Sequence, residues 1–282
     1  GARTQFNLSS EIFSKKTDFA FGAEYFNEWY ETGTFENLFR QFETPGSVRG
    51  ARLSNNEQLR NYLNVFAQMN LQLTDRWRWE AGFNINSTGY SLEDLFYDEE
   101  TDNSGDYRFG TIFSPRLGSS YELAAGKNIY ASVSHGFSIP TVAETLTPDG
   151  SINTDLEAER GVNYEIGFKA NWLNNQLYTE ISAFSIHISD LLVAQRVAED
   201  QYVGLNAGET RHNGIELLSS YTFSPVNGLS LNPYFNAAFN FFRVEDFINI
   251  EQDFAGNEIP GAPASTRNCG LEVRTDAGAQ CV

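Results

Sequence analysis

The stretch Val162-Asn-Tyr-Glu-Ile-Gly-Phe-Lys-Ala-Asn-Trp172 decides the fold class of this 282-residue chain. Val162, Tyr164, Ile166, Phe168, Ala170 and Trp172 fall on one side of an extended backbone, and Asn163, Glu165, Gly167, Lys169 and Asn171 on the other. Successive side chains of a strand point to opposite faces, so this period of two predicts a strand with one apolar and one polar face. Two more segments repeat it. Residues 63–73 set Leu63, Val65, Ala67, Met69, Leu71 and Leu73 against Asn64, Phe66, Gln68, Asn70 and Gln72. Residues 77–85 set Trp77, Trp79, Ala81, Phe83 and Ile85 against Arg78, Glu80, Gly82 and Asn84. Soluble strands average about 5–6 residues, whereas a tilted strand crossing hydrocarbon takes about 9–11. The three alternations run nine to eleven residues, which favours a bilayer.

Working outward, weaker alternations cover 4–13, 18–30, 116–123, 128–137, 177–190, 203–223 (expected to be shorter), 229–242 and 266–274. That makes eleven strands. Tight turns are expected near 15–16, 74–76, 125–127, 173–176, 225–228 and 276–278, about every 50 residues. Long polar loops are expected near 31–58, 88–108, 139–160, 190–202 and 243–264. Short connections at one end and long ones at the other are the signature of an outer-membrane type of barrel. Trp77, Trp79, Tyr121, Trp172, Tyr221 and Phe223 cluster at the short-turn end, as an interfacial girdle does. A soluble sheet capped by bulky aromatics is the plainer alternative. Arg78, Glu80, Arg116, Glu165, Lys169, Glu180 and Glu216 share the polar faces and would be stranded in a packed core. They face water, and with the apolar faces in lipid that water fills a lumen. The expected fold is therefore all-β, an antiparallel transmembrane β-barrel. Eleven is odd where single-chain bacterial barrels are even, so the barrel is expected to be incomplete, a partial barrel domain over 1–282.

Composition removes several function classes. A net charge of −18 and a pI near 4.5 argue against nucleic acid, which needs a basic surface. No apolar run reaches the roughly 18–20 residues of a membrane helix. With 23 Phe and 13 Tyr beside one Met, the balance favours strands. There is no Gly-x-Ser-x-Gly elbow, Walker loop, zinc motif or isolated carboxylate pair, so neither catalysis nor a cofactor is expected. His135, His187 and His212 lack metal-ligand spacing. The acidic stretch 98–106 lacks the order of a calcium loop and reads as solvated surface. Cys269 and Cys281 are either incidental thiols or a cross-hairpin disulfide, which needs Cα atoms within about 7 Å. Pairing would centre the turn on Thr275, whereas the turn-like residues centre nearer Ala277. The chain starts Gly-Ala-Arg and reads as an internal piece of something longer.

One region carries more than architecture. Tyr130-Ala-Ser-Val-Ser-His-Gly-Phe-Ser-Ile-Pro140 leads to Glu144, Leu156-Glu-Ala-Glu-Arg160 and Asn163-Tyr-Glu-Ile-Gly-Phe-Lys169. Ala183-Phe-Ser-Ile-His-Ile-Ser-Asp-Leu-Leu192, Asn206-Ala-Gly208 and Arg211-His-Asn-Gly-Ile-Glu216 follow. In order and spacing this resembles the later half of the barrel of TonB-dependent outer-membrane receptors, and 256–263 resembles that family's loop before a late strand. Ala158 stands where the family often has Pro, and the first hundred residues match by architecture more than by motif. The resemblance implies a 22-stranded barrel with a plug domain and a TonB-contacting segment, neither present in this sequence. It also implies the outer membrane of a Gram-negative bacterium, with lipid and lipopolysaccharide around the wall. The implied function is active uptake of a bulky scarce nutrient, an iron–siderophore complex first, driven by TonB–ExbB–ExbD.

Candidate ligand contacts come from residue chemistry. The 31–58 region mixes Phe35, Phe39 and Phe42 with Arg40, Arg49 and Arg52, a combination able to grip an anionic aromatic chelate. Self-packing over the barrel mouth is the bland alternative. Arg211 and His212, near the outer end of a strand, are candidates for reaching the lumen or ordinary strand-end residues. A passive porin shares every strand-level feature, and a soluble adhesin or glycan-binding module would pack the apolar faces against a second layer.

Overall fold

A computed structural model describes residues 1–39, 41, 46–96, 102–147, 151–198, 201–249, 252–275 and 280–281. Alternation does become strand. β1 (Ala2–Ile12), β2 (Lys15–Asn37), β3 (Arg49–Gln72) and β4 (Trp77–Asp94) pair in sequence, and β5 (Gly105–Arg108) adds to the outer end of β4. β6 (Ile112–Ala124), β7 (Lys127–Ser138), β8 (Glu159–Trp172) and β9 (Leu177–Ser189) continue the wall. A separate hairpin, β10 (Leu192–Ala198) and β11 (Gln201–Asn206), stands in the next loop. β12 (Glu209–Tyr221), the short β13 (Phe223–Val226) and β14 (Leu229–Asp246) follow. After the small hairpin β15 (Ile248–Asn249) and β16 (Gln252–Asp253) come β17 (Ser265–Thr275) and β18 (Gln280–Cys281). The wall runs β1-β2-β3-β4-β6-β7-β8-β9-β12-β14-β17-β18, every pairing antiparallel and next-neighbour. It is open: β1 and β18 do not pair with each other.

Eleven long strands match the expected number, but several boundaries differ, and residues 88–94 and 105–108 of the expected 88–108 loop are strand. The first turn is at Phe13–Ser14, both in the left-handed region, so Lys15 and Lys16 already pair with Ile12 and Glu11. The expected 31–58 loop is mostly strand. β2 and β3 run 23 and 24 residues, over twice what a bilayer needs, and pair from Thr17–Leu71 up to Asn37–Arg49. Residues 203–223 split between the loop hairpin and the wall strand β12.

Register places side chains in cross-strand rows. Leu71, Trp79, Ser119, Ala131, Ile166, Ala183, Ile215 and Phe239 form one row, with Phe21, Phe83, Tyr164, Ile181, Phe235 and Leu271 nearby on the same face. Leu71 and Trp79 are half-buried, and the other large apolar side chains are exposed, as a lipid-facing surface demands; Ile166 retains 54% of its surface and Phe83 39%. No second layer covers this face among the described residues. At the short-turn end Trp77 meets Tyr121 edge-on at 6.3 Å and donates to Ser119 Oγ at 2.8 Å. Trp172 donates to Thr179 Oγ1 at 2.8 Å and carries the Lys127 ammonium 4.1 Å from its ring centroid. Indole rings with one polar attachment suit a membrane–water boundary.

The opposite face is polar and cross-linked. Arg116 pairs with Glu80 at 2.6 Å and Lys169 with Glu180 at 2.9 Å; Tyr130 donates to Glu165 at 2.7 Å and Tyr178 to Glu180 at 2.6 Å. Rings there lie flat across glycines on the next strand: Tyr130 over Gly167, Phe184 over Gly214 and Tyr234 over Gly270, each pair directly opposite in register. A Cβ at any of these glycines would collide with the ring. A groove of about 960 Å³ runs along the polar face, bounded by Arg78, Glu80, Arg116, Tyr130 and Lys169.

Cys281 lies opposite Val273, not Cys269, and the turn expected near 276–278 lies outside the described residues. Cys269 is a free, exposed thiol opposite Phe235 on the apolar face.

Candidate functional site

Above the apolar band, the polar face of the long strands becomes aromatic. Register sets Glu28, Arg60, Tyr90 and Tyr107 in one row across β2, β3, β4 and β5. Below it, Phe26 stacks on Tyr62 at 5.4 Å. Tyr90 and Phe109 are buried edge-to-face at 5.4 Å with Val142, and Tyr30, Tyr107 and Ile139 pack around them. This shelf forms because β2–β4 continue past the band and place bulky residues at positions that lower down hold Asn and Gln.

The Arg60 guanidinium lies between two of those rings, 5.8 Å from the Tyr62 centroid and 5.9 Å from that of Tyr90. Its nearest carboxylate oxygen is Glu28 Oε2, at 3.9 Å from Nη1. That is ion-pair range but beyond a hydrogen bond. Arg60 Nε is buried without a partner.

Loops lock down beside the shelf. Tyr90 donates its hydroxyl to Pro140 O, and Tyr107 donates to Leu156 O at 2.6 Å. Burial, reinforced by Glu157 and Asp155, keeps the Tyr107 phenol above its ordinary pKa and therefore a donor. Within a short 3-10 turn, Ala143–Thr145, Glu144 reaches back so that its Oε2 accepts from Thr141 N at 2.7 Å and Thr141 Oγ1 at 2.8 Å. Asn206 ties three segments: Nδ2 donates to Glu157 O at 3.0 Å and Asp190 O at 2.7 Å, while Oδ1 accepts from Glu157 N at 2.7 Å. Glu159 Oε1 accepts from Leu192 N at 2.8 Å. Gly208, at φ +80°, passes so close to Asp246 O that no side chain fits. Pro140, Glu144, Leu156, Glu157, Glu159, Asn206 and Gly208 are the scattered residues of the sequence pattern. Of these, Glu157, Glu159 and Asn206 tie the regions around 157–159 and 190–206 together, while Pro140 and Leu156 anchor their loop to β4 and β5.

The residues expected to contact ligand land in different places. Arg49 stacks on Phe35, its guanidinium carbon 3.5 Å from the ring centroid, and Arg52 lies 5.3 Å from the same ring. Neither has an ion pair among the described residues, and both stand on the β2–β3 extension rather than in a loop. Arg40 and Phe42 lie outside the described residues. Arg211 and His212 point to opposite faces, as neighbours in a strand must. His212 stacks on Phe242 at 4.6 Å and hydrogen-bonds Thr210 Oγ1 at 3.1 Å. Arg211 holds Glu245 with Nε at 2.9 Å and Nη2 at 3.0 Å. His187 completes that cluster, 3.1 Å from Glu245 and 3.3 Å from Glu209. An imidazole and two carboxylates this close have metal-ligand chemistry, but Arg211 already occupies both Glu245 oxygens. The ion pair in this cluster is Arg211–Glu245, with His187 and Glu209 beside it. Of the acidic stretch, Asp102 accepts from Ser104 N at 2.9 Å, and hydrogen bonds from Ser104 hold its carboxyl below the usual range. Residues 97–101 lie outside the described residues.

Sequence reasoning missed Arg60 and its row. The available signal was aromatic residues (Phe26, Tyr30, Tyr62, Tyr90) at polar positions of the alternation.

Solved structures share this wall at low identity. The chain is similar to the ferric-catecholate import receptor Fiu of E. coli K12 in its closed form, with a TM-score of 0.69 and 15% identity, covering 98% of this chain and 41% of that one. It is similar to the unliganded ferric citrate transporter FecA, with a TM-score of 0.72 and 16% identity over 96% of this chain and 38% of that one. The copper transporter OprC gives a TM-score of 0.65 and 14% identity over 97% of this chain and 41% of that one. The chain thus spans about two-fifths of the length of these relatives. A family profile described as "TonB dependent receptor-like, beta-barrel" matches residues 1–276, nearly the whole sequence, and the chain belongs to that family.

Proposed function

We propose that this chain is part of the wall of an outer-membrane receptor that imports a bulky ferric chelate, with energy delivered by TonB–ExbB–ExbD. The observation that carries the reading is the aromatic shelf of Tyr30, Tyr62, Tyr90 and Phe109, with Arg60 set among its rings at the outer mouth of a polar-lined wall. Rings and guanidinium groups match a large, flat, anionic chelate better than they match small solutes crossing a porin. The iron-carrying relatives support iron as cargo, and the family is of receptor and transporter type, not enzymatic. The polar face lines a water-filled lumen and the apolar face meets lipid of a Gram-negative outer membrane. The test is growth and ⁵⁵Fe uptake by a deletion strain on single ferric chelates. Loss of uptake of one chelate class, restored by the intact gene and abolished by deleting TonB, is the expected result. Unchanged iron uptake under iron limitation would overturn the reading. A copper transporter shares the fold, so ⁶⁴Cu uptake belongs in the same assay.

A further inference from the structure

We propose that Arg60 is an anion-contact residue of the outer vestibule, reading a carboxylate or catecholate edge of the chelate, and that Glu28 stands beside it as the competing carboxylate. The inference rests on the receptor reading above.

Arg60 differs from the closed ion pairs lower on the same face. Arg116 and Lys169 hold their carboxylates at 2.6 Å and 2.9 Å, whereas the Arg60–Glu28 separation is 3.9 Å and Arg60 Nε has no partner. A guanidinium carries five N–H donors in a planar fork, suited to two oxygens of one planar anion. The Tyr62 and Tyr90 rings flank that fork and limit its orientations. Both charged side chains remain accessible, at 32% for Arg60 and 45% for Glu28. In a chain of net charge −18, a guanidinium this loosely paired beside aromatic faces is a local attractor for an anion. Glu28 competes for that position by carrying the same chemistry as the ligand.

The two residues therefore make opposite predictions. With purified full-length receptor, binding of ferric citrate, ferric 2,3-dihydroxybenzoate and the neutral ferric acetohydroxamate is followed by quenching of tryptophan fluorescence. Arg60→Gln should weaken whichever anionic probe binds by about tenfold or more, the worth of one charge-assisted hydrogen bond. Arg60→Lys keeps the charge but loses the fork, and should fall between. Glu28→Gln should tighten the same probe. None of the three should alter binding of the neutral probe. Equal affinity in wild type and Arg60→Gln overturns the proposal. So does a Glu28→Gln loss as large as that of Arg60→Gln, since the pair would then be structural. Wild-type binding of the neutral probe alone overturns the proposal and leaves the receptor reading standing. Binding of none of the three overturns both.

Discussion

The phenol ring of Tyr130 lies across the bare backbone of Gly167, its direct partner in the β7–β8 ladder, and reaches on to Glu165 with its hydroxyl. The glycine provides the space and the ring fills it, so neither residue is replaceable alone. Gly167→Val must expel the ring and should cost about 1–3 kcal/mol. Tyr130→Ala in the same chain should recover part of that, because the collision is gone. Urea unfolding of the full receptor in lipid, run as a double-mutant cycle, measures the coupling. Strict additivity would show that ring and glycine are independent.

The orientation of the wall is open to a paired charge test. Ile166→Arg places a cation on the exposed apolar face and should cost about 2–4 kcal/mol near the bilayer midplane. Ser132→Arg, on the neighbouring strand and the opposite face, enters a row that already holds Glu80 and Glu165 and should cost little. Equal penalties in a lipid-folding titration would invert the assignment of faces.

Cys269 offers a chemical probe of the same face. With Cys281 and any other cysteine of the receptor replaced by Ser, it should react with a lipophilic pyrene maleimide in membranes and resist a sulfonated, water-soluble one. Fast labelling by the sulfonated reagent would put this thiol in water. No Cys269–Cys281 disulfide is expected in the unmodified protein, since Cys281 is opposite Val273.

Asn206 is the tie between loops. Asn206→Asp keeps the acceptor for Glu157 N but removes both donations, to Glu157 O and Asp190 O, at about 1 kcal/mol each. The loops should loosen while the wall stays intact. Limited proteolysis of whole cells should show cleavage within 140–158 rising about thirtyfold, with heat-modifiable migration of the barrel unchanged. Cleavage at the wild-type rate would mean that Asn206 is dispensable to the tie.

The wall was legible because lipid on one side and water on the other impose a period of two, and Val162–Trp172 displays it without exception. The upper halves of β2 and β3 were not. Glu31-Thr-Gly-Thr-Phe-Glu-Asn37 and Arg49-Gly-Ala-Arg-Leu-Ser-Asn55 rise past the hydrocarbon, where both faces meet water and alternation has no physical cause. The same segments therefore read as a loop. Arg49 and Arg52 were singled out for their chemistry, and the structure brings both onto Phe35. Arg211 and His212 were read as a pair, although strand geometry alone separates them. Arg60 escaped notice because Glu28, Tyr90 and Tyr107 come from three other strands, joined to it only by register.

The three ring-over-glycine pairs do more than fill space. A slip of two residues between neighbouring strands returns every side chain to its own face, so alternation alone tolerates it. In the ladders that carry these pairs, such a slip would set Tyr130 against Glu165 or Lys169, Phe184 against His212 or Glu216, and Tyr234 against Asn268 or Glu272. Each of those residues carries a side chain where the glycine has none. The glycines are therefore register marks in a wall whose hydrophobic pattern repeats too evenly to count for itself.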